Sequence, residues 1–258
     1  MSGTGSPLRV RSVGLTDVGR KRKHNEDAFL NDDALRLYLV ADGMGGHAAG
    51  EVASAEAVDQ IFGMVKRGVP SLPMLGDGRE PAAIHAVSRL LESSVQAATY
   101  MVHSIAQLDA SKNGMGTTMS ALLVHDGFAV TGQVGDSRIY LVRDGEAHQL
   151  TEDHTYVNWQ LRTGLITREE AEKSPKKNVI TRSVGNHDYV EVDTRVVPLR
   201  PGDRLLVCSD GLHGYLRDGD LEPIVALGID EAATRLIALA NERGGKDNIT
   251  AVLVEVEG

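Results

Sequence analysis

Two Asp-Gly pairs, Asp126-Gly127 and Asp144-Gly145, each divide two short apolar, β-branched runs, and nothing else in the chain constrains its fold as strongly. Asp-Gly tolerates the left-handed backbone of a tight turn, so residues 118–125 return as 128–134, and 139–143 return as 146–150. Consecutive hairpins predict antiparallel sheet. Further strand-like runs lie at 8–15, 28–30, 35–41, 190–197, 204–208 and 250–255. Helical periodicity, with apolar residues at spacings of three and four, marks 48–65, about 81–108 and about 230–243. Residues 66–80 are broken by Pro and Gly and read as a connection, and 152–185 read as polar, weakly helical loop. The class this predicts is α+β, with helices covering the outer faces of the sheets.

At 258 residues the chain can bury a large core, and no Pro/Ser/Gly-rich linker splits it. One domain over 8–258 is expected, with 1–7 as a frayed terminus. The net charge of -9 argues against nucleic acid as the main partner, since phosphate backbones need clustered Lys and Arg. Cys208 is the single cysteine, so no disulfide framework exists and a reducing, cytoplasmic setting is expected. No apolar run approaches the length of a membrane span, and the start shows no signal-peptide pattern.

Two other Asp-Gly pairs do not behave as hairpin turns. Asp42-Gly43 ends the run LYLVAD and enters Met44-Gly45-Gly46-His47 and a helix; Asp210-Gly211 ends RLLVCSD and leads into Leu-His-Gly-Tyr. Asp136 closes AVTGQVGD, and Asp247 stands just before the last strand. Carboxylates at strand ends are rigidly held, and hard cations such as Mg²⁺ and Mn²⁺ take oxygen ligands of this kind. Residues 43–48 also match G-x-G-x-x-A after a strand. That dinucleotide reading is weak, because Asp42 would repel a pyrophosphate and no parallel strand follows promptly. No G-K-[ST] makes a P-loop, and Cys208 lacks the arginine of a cysteine phosphatase, since Gly214 stands six residues on.

Eight motifs in order then carry a specific resemblance: TDVGRKRKHNED (16–27), LVADGMGGH (39–47), GMGTTMSALLV (114–124), VGDSRIYLVRDG (134–145), LTEDHT (150–155), NVITRSVG (178–185), LLVCSDGL (205–212) and KDNITAVLV (246–254). The chain resembles the PPM family, the metal-dependent serine/threonine protein phosphatases of type 2C, in their compact bacterial form. The resemblance implies a four-layer α/β/β/α sandwich with a metal cleft at one end of two antiparallel sheets. It implies hydrolysis of phosphoserine and phosphothreonine in proteins by metal-activated water, in line and without a phospho-enzyme, opposing a bacterial Ser/Thr kinase. It also implies two Mn²⁺ or Mg²⁺ ions in a core site and a weaker third.

By motif position, Asp42 bridges two metals, Gly43 offers its carbonyl to the second, and Asp210 and Asp247 complete the first. Glu26 and Asp27 hold metal-bound waters, Asp136 with Asp210 forms the third site, and Arg22 grips the phosphate. Asn248 reads as structural. His47 is a candidate proton donor to the leaving oxygen, with contacts to substrate or helix terminus as the alternative. His24 and His154 read as surface or local structural residues. Residues 152–185 align with the family's flap beside the cleft. Ser174 replaces the histidine many relatives carry before Pro175, which leaves flap contacts open. Lys173, Lys176, Lys177 and Arg182 either attract an acidic phosphopeptide or form a solvated face. A monomer is the simpler expectation. The competing readings are a non-catalytic binding module on the same fold and a regulatory phosphatase with one dedicated partner.

Overall fold

The computed structural model describes residues 8–45, 49–73 and 80–258. Two antiparallel sheets stack face to face. The first is built from β1 (Arg9–Asp17), β7 (Arg138–Arg143), β8 (Glu146–Gln149), β10 (Arg204–Cys208) and β11 (Ile249–Glu257), in the order β1-β11-β10-β7-β8. The second takes β2 (Asp27–Asp32), β3 (Leu37–Met44), β5 (Met119–His125), β6 (Phe128–Val134) and β9 (Asp193–Pro198), ordered β2-β3-β5-β6-β9, while the short β4 (Gly116–Thr117) pairs with β3.

Both hairpins expected from the Asp-Gly pairs form, as β5–β6 and β7–β8. Asp126 and Asp144 take φ of 46° and 53°, the left-handed backbone that aspartate tolerates better than most residues.

The strands alternate between two buried environments, which is why they read as nearly continuous apolar runs. In β3, Leu37, Leu39 and Ala41 face the helices, whereas Tyr38 and Val40 face the other sheet. In β10, Leu206 and Cys208 point outward to helices, and Leu205 and Val207 point between the sheets. Strand β11 follows the same rule, with Ile249, Ala251 and Leu253 outward and Val252, Val254 and Val256 inward.

Helices α1 (Ala49–Gly68) and α2 (Glu80–Leu108) cover the second sheet. Ala53, Ala57, Ile61 and Val65 recur every four residues on α1 and are fully buried against it, as are Val87, Leu91, Val95 and Val102 of α2. On the first sheet lie α5 (Asp210–His213), α6 (Leu221–Val225) and α7 (Ile229–Glu242). The result is the four-layer order helix, sheet, sheet, helix.

The segment at 152–185, expected as polar, weakly helical loop, contains two short helices, α3 (Tyr156–Arg162) and α4 (Arg168–Lys173). Neither is long enough to show apolar periodicity, but α4 begins with a full capping box between Thr167 and Glu170. Helices α5 and α6 also escaped the periodic pattern, for the same reason of length.

Candidate metal centre

Every expected carboxylate arrives at the same end of the two sheets. Asp27 opens β2 and stands opposite Asp42 near the end of β3. Asp136 sits in the β6–β7 turn, Asp210 follows β10 at the start of α5, and Asp247 immediately precedes Asn248 and β11. Arg22 and Glu26 lie in the β1–β2 connection at that end.

Local chemistry holds each one. The Asp42 amide donates to Thr118 Oγ1 at 2.9 Å, and its carbonyl accepts from the Thr118 amide and from Thr117 Oγ1, both at 2.9 Å. Asp27 Oδ2 accepts from Ser209 Oγ at 2.8 Å and Thr250 Oγ1 at 2.6 Å, so the second sheet's carboxylate is tied to the first sheet's strands. Asn248 fixes the β1–β2 loop: it accepts from the Glu26 amide at 2.8 Å and donates to the carbonyls of Val18 and His24. Its expected structural role is what its contacts describe. Gly43 is confined by packing, because a Cβ there would fall 2.1 Å from the Gly50 carbonyl oxygen.

Electrostatically these groups form one set. Burial pushes the Asp42 carboxyl well above the ordinary carboxylate range, reinforced by the charges of Asp27, Asp210, Asp136 and Asp247. Asp27 rises to about 7, first through burial, against the hydrogen bonds of Thr250 and Ser209, with Asp210 and Asp247 adding repulsion. Asp136 rises to about 7 through burial and then the charges of Asp210 and Asp153. Burial and Asp247 raise Asp210, while a hydrogen bond from Asp42 draws it back down.

Arg22 bridges two of the acids, with its guanidinium 2.9 Å from Asp247 Oδ2 and 3.2 Å from Glu26 Oε2. It remains 45% exposed at the rim, so an incoming anion can reach it.

The donor set fits a hard divalent cation. It is all oxygen, it is crowded with like charge, and Asp27 Oδ1 is buried without a hydrogen-bond partner. Among the described residues no three His, Cys, Asp or Glu side chains form a ready-made cage. Separated carboxylates of this kind suit ions that keep part of their water shell. His47 lies outside the described residues. A cavity of about 530 Å³ elsewhere, between α2 and Asp188–Tyr189, includes none of these groups.

Several contributors gave no sequence signal. Ser209, Thr250 and Thr118 are hydroxyl residues inside apolar runs; the stacking of the sheets brings Ser209 and Thr250 to the Asp27 carboxylate, and pairing within the second sheet sets Thr118 against the Asp42 backbone. His154, expected at the surface or in a local role, is instead buried and bonded to residues far along the chain.

An acidic, all-oxygen cleft with an arginine at its rim is the equipment of a metal-assisted phosphoester hydrolase. Comparison with known proteins gives the particular class. The family model described as protein phosphatase 2C matches residues 18–254. The chain is 40% identical over 245 residues to the serine/threonine phosphatase stp of Listeria innocua, covering 93% of each. It is 39% identical over 248 residues to the protein phosphatase PhpP of Streptococcus pneumoniae, covering 94% of this chain and 96% of that one. The crystal structure of the catalytic domain of the serine/threonine protein phosphatase PstP, in complex with two manganese ions, superposes with a TM-score of 0.83 at 34% identity, covering 97% and 100% of the two chains. The chain belongs to the protein phosphatase 2C family. It is a protein serine/threonine phosphatase, a hydrolase of phosphoric monoesters, and its activity depends on metal.

Proposed function

We propose that this chain hydrolyses phosphoserine and phosphothreonine in proteins at the cleft formed by Asp27, Asp42, Asp136, Asp210 and Asp247, opposing a bacterial Ser/Thr kinase in the cytoplasm. The convergence of these acids at one end of two sheets, with Asp27 facing Asp42 across the β2–β3 ladder and Asp27 Oδ1 buried without a hydrogen-bond partner, carries this reading.

Two Mn²⁺ or Mg²⁺ ions, when bound, supply acidity that makes water a nucleophile near neutral pH and charge that neutralises phosphoryl oxygens. The chain's own residues do the rest. Asp42, its backbone fixed by Thr117 and Thr118, would hold both ions. The Gly43 carbonyl, Asp210 and Asp247 would complete the hold on them. Glu26 and Asp27 orient water, with Ser209 and Thr250 fixing one Asp27 oxygen and leaving the other free. Asp136, with Asp210, would hold a third ion more weakly. Arg22 turns its planar fork from Asp247 and Glu26 to the substrate phosphate, whose dianion offers a better match than either carboxylate. His47 is the candidate acid for the departing hydroxyl.

Residues 8–258 act as one catalytic unit, with 152–185 as the flap, and the chain works as a monomer. No helix among the described residues is long and apolar enough to cross a membrane.

The test is hydrolysis of a phosphothreonine peptide and of p-nitrophenyl phosphate with Mn²⁺ or Mg²⁺. Turnover is expected with either ion and none in EDTA. Full activity in excess EDTA would sink the reading.

A further inference from the structure

Residues 134–137, the turn that carries Asp136, are clasped from the side by a single buried histidine. His154 is 7% exposed. Its backbone amide donates to the Gly135 carbonyl at 2.9 Å, and its ring Nδ1 faces the Gly135 amide at 3.2 Å. One residue thus engages both polar groups of Gly135.

The Gly135 N–H can only donate, so Nδ1 must carry a lone pair. The ring proton then resides on Nε2, which lies 3.1 Å from Asp193 Oδ2. Asp193 is held in turn by Arg182, 2.7 Å from its other oxygen. Arg182 also comes within 3.3 Å of Nε2, but two donors cannot bond each other, so its bond to Asp193 is the real one. Its second amino group pairs with Glu191 at 2.9 Å. Burial, the largest influence, keeps the ring neutral by lowering its pKa.

Gly135 has no freedom to compensate. It takes φ of 97°, and a Cβ there would sit 2.7 Å from Thr118, the residue that receives the Asp42 amide. Its carbonyl also accepts from Gln133 Nε2 at 3.0 Å. A shift of this peptide therefore moves Asp136 directly.

We propose that His154 is a positioning residue for Asp136: it holds the Gly135 peptide through an Nδ1 acceptor, in the tautomer that Asp193 fixes. This rests on the metal-dependent reading of the cleft only for its effect on turnover. The tautomer stands apart from that reading. His154 touches no reacting atom; it sets where one carboxylate stands, as groups behind a metal ligand commonly do.

The first readout is long-range ¹H–¹⁵N correlation of the histidine rings in labelled protein without added metal. An unprotonated Nδ1 and a protonated Nε2 are expected for His154. The opposite tautomer, or rapid averaging of the two, overturns the proposal.

The second readout is p-nitrophenyl phosphate hydrolysis against Mn²⁺ concentration. His154→Ala should lower kcat about tenfold and raise the half-activating Mn²⁺ concentration, with little change in KM. His154→Asn places an oxygen near the Nδ1 position and should recover most of the loss, whereas His154→Gln should not. A folded His154→Ala with wild-type kcat and Mn²⁺ dependence refutes the role. If that variant does not fold, Asp193→Ala on edge strand β9 removes the tautomer lock, together with the Arg182 bond, and should lower kcat in the same direction; unchanged kcat and tautomer there refute it equally. Wild-type protein inert with Mn²⁺ but showing the expected tautomer would sink the phosphatase reading and leave the His154 assignment supported.

Discussion

Asp27 and Asp42 stand directly opposite each other on the β2–β3 ladder, on the face that meets the other sheet. Like charges at opposed positions normally weaken strand pairing. Here one of them is pinned from the facing sheet, with Ser209 and Thr250 both donating to Asp27 Oδ2. The pairing concentrates negative charge where a cation can neutralise it.

That crowding sets a pH dependence. Asp27 and Asp136 are raised to about 7 in the folded chain, against an ordinary carboxylate value of 3.8, and burial with neighbouring charge also raises Asp42 well above that value. Between about 4 and 7 the folded state therefore binds more protons than the unfolded state. Metal-free protein should lose stability as pH rises through this window. Thermal unfolding in EDTA from pH 5.5 to 7.5 should show a falling Tm, and Mn²⁺ should flatten the slope by replacing those protons. A Tm that rises with pH in EDTA contradicts the burial and repulsion described here.

Gly43→Ala tests the close approach of β3 to α1. The added methyl would meet the Gly50 carbonyl at 2.1 Å, and backbone on both sides leaves no side chain to yield. A loss of ~2–4 kcal/mol is expected, in the range for overpacking with backbone displacement. Equilibrium urea unfolding measures it, and an unchanged midpoint would show that strand and helix can part freely.

Arg22 is expected to act through its fork and not through charge alone. Arg22→Ala should raise KM for p-nitrophenyl phosphate about tenfold, and Arg22→Lys should recover little, because an ammonium cannot grip two oxygens in a plane. Steady-state kinetics decide it; a lysine variant equal to wild type would reduce Arg22 to a point charge.

Asp136→Ala should lower kcat and leave two ions bound, since the hydrogen bonds that hold Asp42 and Asp247 come from Thr117, Thr118 and Arg22. Equilibrium dialysis with Mn²⁺ checks this. Loss of all bound metal would move Asp136 from the third site into the core one.

Much of this was legible in the sequence because the signals were local. The turns at Asp126-Gly127 and Asp144-Gly145 were readable from two residues and their flanks. The departure of Asp42-Gly43 and Asp210-Gly211 from that pattern was equally local. Ordered motifs then added Asp247, which has no pattern of its own. What stayed hidden depends on distant contacts. Ser209 and Thr250 reach Asp27 from 182 and 223 residues away, across the inter-sheet interface. His154 reads as an ordinary loop histidine until Gly135 and Asp193 are brought to its ring, 19 and 39 residues away. The short helices α3 to α6 offered too few turns for periodicity to show.

The central claim is that Asp42 organises the cations on which hydrolysis depends, and Mn²⁺ binding and turnover measured together on Asp42→Ala test it most directly. Asp42→Ala should keep a wild-type circular dichroism spectrum, bind Mn²⁺ more weakly by calorimetry, and turn over a phosphothreonine peptide about three orders of magnitude more slowly, or worse. A folded Asp42→Ala that binds two Mn²⁺ with wild-type affinity and turns over at the normal rate would contradict it.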